Sequence, residues 1–600
     1  MNDAGAGPRD VPVPMAADGG VWGSDALALM LRALDIPYVL LNPGASFRGL
    51  HDSLVNTLGN ARPEMLVCLH EEHAVAIAHG YAKVTGTPLA AIVHSNVGLM
   101  HASMAMFNAW CDRMPVLVLG ATGPVDAARR RPWIDWIHTM RDQGALVRSF
   151  VKWDDQPASV TAAYESLLRA NVIAQTSPAG PVYVNFDVTL QEERLPSLPP
   201  LPDVARFQPP PLLHAPAAAI ATAAQWLRDA QRPLLLMGRA SRDVAAWDAR
   251  VALAEALGAR VLTDLKVGAA FPTDHPLHAA PPGVFLTPDA AAAVKDADVV
   301  LALDWVDLGG TFRQAWGEAK VASRVIHVSP DQHAHHGAGM EYHALPPADL
   351  YLACDAATVV DDLLAALRTT PSTLSAPPPR AAAPTAMIDA TATTISIARV
   401  AAELTRALAD APFSYAHLPL GWSGDMAHFR HPLDYLGGDG GAGIGAGPGL
   451  TVGAALALKD SGRLVVGVLG DGDYLMGVTA LWTAARARLP LLIVVCNNRS
   501  YFNDEIHQER VAKMRGRPVE NKWIGQRIDD PAPDLAQLAR AQGLTGFGPV
   551  TNAGALQGVL ADAVARARRG EAVVVDVHVT PGYSPSMAAG VARGHAGKDT

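Results

Sequence analysis

Short apolar runs alternating with longer amphipathic stretches constrain this chain most. Residues 233–237 are continuously apolar, residues 245–257 space their apolar positions as a helix does, and residues 259–263 form a second short run around Val261 and Leu262. A strand apolar along its whole length must be covered on both faces, and the intervening helices supply the cover, as in the βαβ units of parallel sheets. The alternation recurs along all 600 residues, too many for one domain at about 150 residues each. Two proline-rich stretches interrupt it and favour extended connections. The expected fold is therefore α/β, with three doubly wound parallel-sheet domains. The expected division is a disordered tail over 1–20, a first domain over 21–195, a linker over 196–216, a central domain over 217–368, a linker over 369–386, a third domain over 387–583 and a tail over 584–600.

Only 18% of residues are charged and 50% are hydrophobic, which excludes disorder as the main state. The net charge of −10 comes without a basic block, so nucleic acid is not an expected partner. Cys68, Cys111, Cys354 and Cys496 are too scattered for a zinc site or a disulfide scaffold, which fits a reducing compartment. No run approaches the roughly 18 apolar residues of a membrane span, and the first twenty residues hold no signal-like apolar core. A cytoplasmic protein without a membrane partner is expected.

The first and third domains share a weak repeat. Strand 89–94, a turn at Gly98, helix 101–113 and a strand after Pro115 parallel strand 464–469, the turn Gly470-Asp471-Gly472, helix 478–489 and a strand after Pro490. In the second copy the strands end on Gly-Asp-Gly and on Asn497-Asn498. A right-handed crossover sets the C-terminal ends of two such strands side by side, where open α/β sheets bind ligands. Asp471 and Asn498 would then face one another and offer hard oxygens to Mg²⁺, while Gly472 lets the backbone approach a diphosphate at a helix N-terminus.

Gly-Asp-Gly followed at this distance by Asn-Asn resembles the motif of thiamine diphosphate enzymes, in the branch of acetohydroxyacid synthases, pyruvate decarboxylases and benzoylformate decarboxylases. The resemblance covers nearly the whole chain and implies a pyrimidine-binding, a central and a diphosphate-binding domain in that order. It implies Mg²⁺ held by Asp471, Asn498 and the carbonyl of Ser500. Asp473 stands where relatives often carry a neutral residue, and is grouped with the cofactor-binding residues. His70-Glu71-Glu72-His73-Ala74, leading to Gly80-Tyr81-Ala82, is similar to the family segment whose glutamate hydrogen-bonds the aminopyrimidine ring, which assigns that role to Glu71. Burial would raise its pKa and keep a proton available near neutrality.

Gly441-x-Gly443-x-x-Ala446 also fits a dinucleotide fingerprint, but residues 431–440 before it are polar and turn-rich, whereas that fingerprint follows a buried strand. Read as thiamine chemistry, Ile444 is the apolar wedge beneath the cofactor and the carbonyl of Ala442 accepts from its amine. Ser423, in Gly421-Trp422-Ser423-Gly424, falls where relatives contact the diphosphate.

Local similarity favours benzoylformate decarboxylase among the branches. Asn42-Pro43-Gly44 and His94-Ser95 match it, with His94 at the place of a catalytic histidine; Ala45 stands where that enzyme has a substrate-binding serine, and Ser46, one position on, would point elsewhere. His138 offers a second acid or base, and His275 matches a further loop histidine. Acetohydroxyacid synthases carry a Phe-Gln-Glu-x-x-Asp loop before a Lys that aligns with Lys152; here His138-Thr139-Met140-Arg141-Asp142-Gln143 keeps Asp142 and loses the glutamine used in ligation.

The implied reaction is cleavage or formation of a C–C bond on a 2-oxoacid or related acyl donor. Acetolactate synthesis and 2-hydroxyacyl-thioester lysis stand as alternatives, and a non-catalytic binding protein or a nicotinamide oxidoreductase stand further off. Relatives sometimes hold FAD or ADP centrally, where Met237-Gly238-Arg239 is the glycine-bearing turn. The resemblance also implies a homodimer or homotetramer with sites at the subunit interface.

Overall fold

The computed structural model describes residues 10–14, 20–331, 345–368, 393–409 and 411–583. The expected linker 369–386 and tail 584–600 lie outside them, as does most of 1–20. The chain forms two compact units, Met1–Pro210 and Pro211–Thr600. Residues 196–216, between helical parts of the two, hold one short turn of helix, Val204–Arg206.

The first unit is built on a six-stranded parallel sheet. In spatial order its strands are Glu64–Val67, Tyr38–Leu41, Ala90–Val93, Leu117–Thr122, Val182–Asp187 and Asp154–Asp155. Strand Ala90–Val93 is buried at every position, as its continuous apolar sequence requires. The order reverses beside Tyr38–Leu41, whose neighbours Glu64–Val67 and Ala90–Val93 lie on opposite sides. This switch opens a crevice between the C-terminal ends of Tyr38–Leu41 and Ala90–Val93. Helices Gly23–Ala33 and Val160–Gln175 pack Leu27, Met30, Leu31 and Leu167 against Val39, Ile92, Leu119 and Val184. Helices Glu71–Thr85 and Ser95–Asp112 pair with one another.

The second unit holds two five-stranded parallel sheets. The central one runs Arg260–Leu262, Pro233–Met237, Val299–Leu303, Arg324–Val328, Leu350–Leu352. The other runs Phe413–His417, Leu464–Gly470, Leu491–Asn497, Ala572–His578, Thr545–Val550. Strands Leu464–Gly470 and Leu491–Asn497 are direct parallel neighbours, with Gly470 opposite Cys496. The α/β class with several parallel sheets is thus as the periodicity requires.

Two local elements differ from the sequence reading. The turn expected at Gly98 lies inside helix Ser95–Asp112, which starts ahead of the expected residue 101. The helix expected over 478–489 is the shorter Ala480–Arg486, and a separate helix, Asp471–Gly477, precedes it where a turn was expected. Gly477 lies so close to the carbonyl of Gly445 that no Cβ would fit, and the helix breaks just after this contact. Helix Ala446–Leu458 begins inside the glycine-rich stretch, through Gly447-Pro448-Gly449. A proline is tolerated in a first turn, where the N–H has no helical acceptor.

Candidate active site

In the first unit the crevice is lined by residues at two helix starts. Glu71 opens helix Glu71–Thr85, whose N-cap His70 accepts the N–H of Glu72 through Nδ1 at 3.2 Å. The Glu71 carboxylate is buried, and its Oε2 accepts from Nδ1 of His101 at 3.0 Å. Helix Ser95–Asp112 passes beside it at Gly98, where a Cβ would sit 2.8 Å from Oε1. His94 is the N-cap of that helix, at the end of strand Ala90–Val93. Its ring meets His138 edge-on with centroids 4.7 Å apart. Burial, then the neighbouring His138, hold the His94 pKa below its ordinary value, with Glu71 opposing them.

The Asn-Pro-Gly turn packs directly on this histidine. A Cβ on Gly44 would collide with the His94 side chain. Ser46 Oγ lies 2.9 Å from Nδ1 of His94 and accepts the N–H of Ser95 at 3.1 Å. Ser46 is thus buried and committed to fixing His94. The serine expected to point elsewhere is turned onto the catalytic candidate, because the turn folds back over the end of strand Ala90–Val93.

In the second unit Asp471 starts helix Asp471–Gly477 at the end of its strand. Asp471 Oδ2 accepts the N–H of Ser500 at 3.1 Å, and Asn498 Oδ1 accepts the same N–H at 2.9 Å. The two side chains therefore converge. Asn497 turns away and donates to Asp576 Oδ1 at 3.0 Å. Burial lifts the Asp471 pKa to about 6 although backbone N–H groups of Gly472, Asp471, Arg499 and Ser500 oppose it. A buried carboxylate and an amide oxygen beside one another fit a hard divalent cation, whose charge would favour the ionised form.

The glycine turn lies beside this pair. Asp473 Oδ1 accepts the N–H groups of Gly445 at 2.7 Å and Gly447 at 3.2 Å. It supplies the acceptor that the start of helix Ala446–Leu458 lacks. Gly447 is required, because a Cβ there would collide with Oδ2. Oδ2 is buried without a hydrogen bond and faces His417 Nδ1 at 3.9 Å. Ala442 takes a left-handed φ of 57° and Ile444 is 41% exposed next to Gly445. Ser423 is part-buried in a turn closed by Met426.

Each unit thus gathers its own set: Glu71, His94 and His138 in the first; Asp471, Gly472, Asn498 and Ser500, with Asp473, Ala442 and Ile444 nearby, in the second. Lys152 donates to the carbonyls of Ile173 and Thr176, both at 2.6 Å, and so closes the C-terminus of helix Val160–Gln175. Asp142 is bound by Arg148 at 2.9 Å. His275 packs edge-on against Phe271 and accepts the N–H of Leu277. Gly238 of the central turn is pressed against the backbone of Asp304 and Trp305. Sequence reasoning did not single out Ser46 as a partner of His94, nor His101 as a partner of Glu71. The available signal was the concentration of His70, His73, His94 and His101 around one acid.

Comparison with known proteins bears on this geometry. Three domain families match: the N-terminal TPP binding domain of thiamine pyrophosphate enzymes over residues 21–146, their central domain over 220–363 and their C-terminal TPP binding domain over 420–577. The chain is 24% identical over 564 residues to a probable acetolactate synthase large subunit of Methanocaldococcus jannaschii, covering 87% of this chain and 86% of that one. It is 26% identical over 558 residues to a probable 2-ketoarginine decarboxylase of Pseudomonas aeruginosa, covering 88% and 90%. Its fold is that of a benzoylformate decarboxylase from Polynucleobacter necessarius, with a TM-score of 0.78 at 21% identity over 94% of this chain and 99% of the other. With all three domains matched in order, the chain belongs to the thiamine pyrophosphate enzymes and is a thiamine diphosphate-dependent enzyme of their decarboxylase and acetolactate synthase branch.

Proposed function

We propose that this protein is a Mg²⁺-dependent 2-oxoacid decarboxylase with carboligase capacity, similar in reaction class to benzoylformate decarboxylase. The observation that carries the reading is the His94 site: a histidine at the switch point of the first sheet, fixed by Ser46 and backed by His138. Bound thiamine diphosphate supplies a carbon nucleophile and an electron sink. Asp471, Asn498 and the Ser500 carbonyl hold the cation that neutralises the diphosphate, with Gly472 and Ser423 against the phosphates. Ala442 and Ile444 seat the rings, Asp473 holds their glycine turn in place, and Glu71 exchanges a proton with the pyrimidine. His94, assisted by His138, moves protons on the substrate after CO₂ has left.

Acetolactate synthesis is the second reading, favoured by the name of the Methanocaldococcus relative. Against it, Asp142 is paired with Arg148, and Gln143 is buried against Ala121, Tyr183 and Asn185. Neither is free to take part in ligation. The protein acts as a homodimer or homotetramer in the cytoplasm. Exposed Met100, Trp133, Trp136 and Ile137 on the first unit and Ile444 and Met476 on the second supply apolar surface for subunit contact. Cys68, Cys111, Cys354 and Cys496 are buried thiols, which supports a reducing compartment. Among the described residues no helix is long and apolar enough to cross a membrane.

The test is product analysis by mass spectrometry after incubation with thiamine diphosphate, Mg²⁺ and a panel of 2-oxoacids and 2-hydroxyacyl thioesters. Aldehyde and CO₂ from an aromatic or long-chain 2-oxoacid, lost by about 10²-fold in His94→Ala, are expected. Acetolactate from pyruvate, undiminished in His94→Ala, would overturn the reading.

A further inference from the structure

Glu71 is buried, yet its carboxylate has a direct partner at the surface of the unit. The side chain of Glu71 is 7% exposed and that of His101 is 56% exposed, with Nδ1 and Oε2 3.0 Å apart. The two carboxylate oxygens face different surroundings: Oε2 meets the imidazole, while Oε1 is the oxygen beside Gly98. His101 lies one turn beyond Gly98 on the same helix face. The ring of His70 stacks on His101 with centroids 4.8 Å apart and planes 24° apart, and His70 is itself fixed by capping Glu72. The two helices are pinned together by a buried cluster in which Asp112 receives Lys83 Nζ and His79 Nε2.

Among the described residues, His70 and His94 face the pair, and His73 packs against His70. Burial is the largest influence on each and lowers its pKa, taking His73 to about 4; His101 lowers His70 further, His70 lowers His73, and His138 lowers His94. Each shift favours the neutral ring. The ring hydrogen-bonded to Glu71 is also the solvent-facing one.

We propose that His101 is the positioning residue of Glu71 and the relay through which its carboxyl exchanges protons with water. The inference rests on the reading of Glu71 as the group that protonates the pyrimidine. In the relay a hydronium ion gives a proton to Nε2 of neutral His101, and the Nδ1 proton passes to Oε2 of the carboxylate. The N–H electron pair stays on the ring, which ends neutral, so that hydronium and carboxylate become water and carboxylic acid. The reverse sequence removes the proton. Oε1 remains free to face the cofactor.

Two measurements test this. In the cofactor-free protein labelled with ¹⁵N-histidine, the ring of His101 should show the Nδ1–H tautomer in the wild type, and its ring nitrogen shifts should move toward those of free imidazole in Glu71→Ala, where the acceptor is gone. Identical ring shifts in the two proteins would overturn the pairing, whatever the fate of other variants. In the protein loaded with thiamine diphosphate and Mg²⁺, exchange of the thiazolium proton in deuterium oxide should slow at least about tenfold in His101→Ala and recover on addition of free imidazole. Exchange undiminished in His101→Ala but lost in Glu71→Gln would remove the relay and leave the role of Glu71 intact. Wild-type exchange in Glu71→Gln would overturn the role of Glu71 itself. A slow His101→Ala protein that binds cofactor normally but ignores imidazole would also refute the relay.

Discussion

Asp473 gives its Oδ1 to the two N–H groups that open helix Ala446–Leu458, and so ties the glycine turn to the Gly-Asp-Gly turn. Asp473→Ala leaves buried N–H groups without an acceptor and should cost about 1–3 kcal/mol in urea unfolding. Asp473→Asn keeps an oxygen there, removes a buried charge and should cost less; equal losses would mean that the charge, and not the acceptor, matters. His73 is a second residue with a measurable signature. Burial holds its pKa near 4 in the folded protein against 6.5 ordinarily, so the unfolded chain binds more protons between those values. Stability should therefore fall as pH drops from about 6.5 to 4, by on the order of 3 kcal/mol. His73→Gln should flatten that slope in pH-dependent urea midpoints, and parallel slopes would contradict it. Three non-glycine residues with left-handed φ, Ser95, Ala442 and Arg499, mark the turns at His94, the glycine segment and Asn498. Such backbone costs about 1–3 kcal/mol and persists where surrounding contacts enforce it.

At the scale of elements, the parallel strands and the Gly-Asp-Gly and Asn-Asn turns were legible because each is written locally. A continuous apolar run followed by glycine and an acid has few other uses. The register between helices was not legible. Nothing in the order of residues says that His101 faces Glu71 from helix Ser95–Asp112, or that Ser46 folds back onto His94; both depend on tertiary packing. The start of helix Ala446–Leu458 inside the glycine-rich stretch was hidden for the same reason, since its acceptor, Asp473, lies on another element. Helices Glu71–Thr85 and Ser95–Asp112 are held by the Lys83, Asp112 and His79 cluster, all nearly fully buried. Lys83→Met, which strips Asp112 of its cation, should destabilise the protein by about 3–5 kcal/mol in urea unfolding. Joint replacement of all three by Met and Leu should cost less than that single change. A larger loss in the triple variant would show that the ion pair itself supplies net stability.

At the scale of the whole molecule, the proposed site residues divide between two compact units, Glu71, His94 and His138 in one and Asp471, Asn498 and Ile444 in the other. The three matched domains account for the cofactor family; the proposed reading assigns the choice of substrate to the side chains around His94. What most depends on the second unit is the convergence of Asp471 and Asn498 on a buried point that favours a cation. Isothermal titration of thiamine diphosphate into the wild type, Asp471→Ala and Asn498→Ala, each with Mg²⁺ and with chelator, tests it. Binding by the wild type with Mg²⁺, abolished by chelator and in both variants while circular dichroism stays native, is the expected result. Wild-type affinity in chelator, or in either variant, would contradict the account.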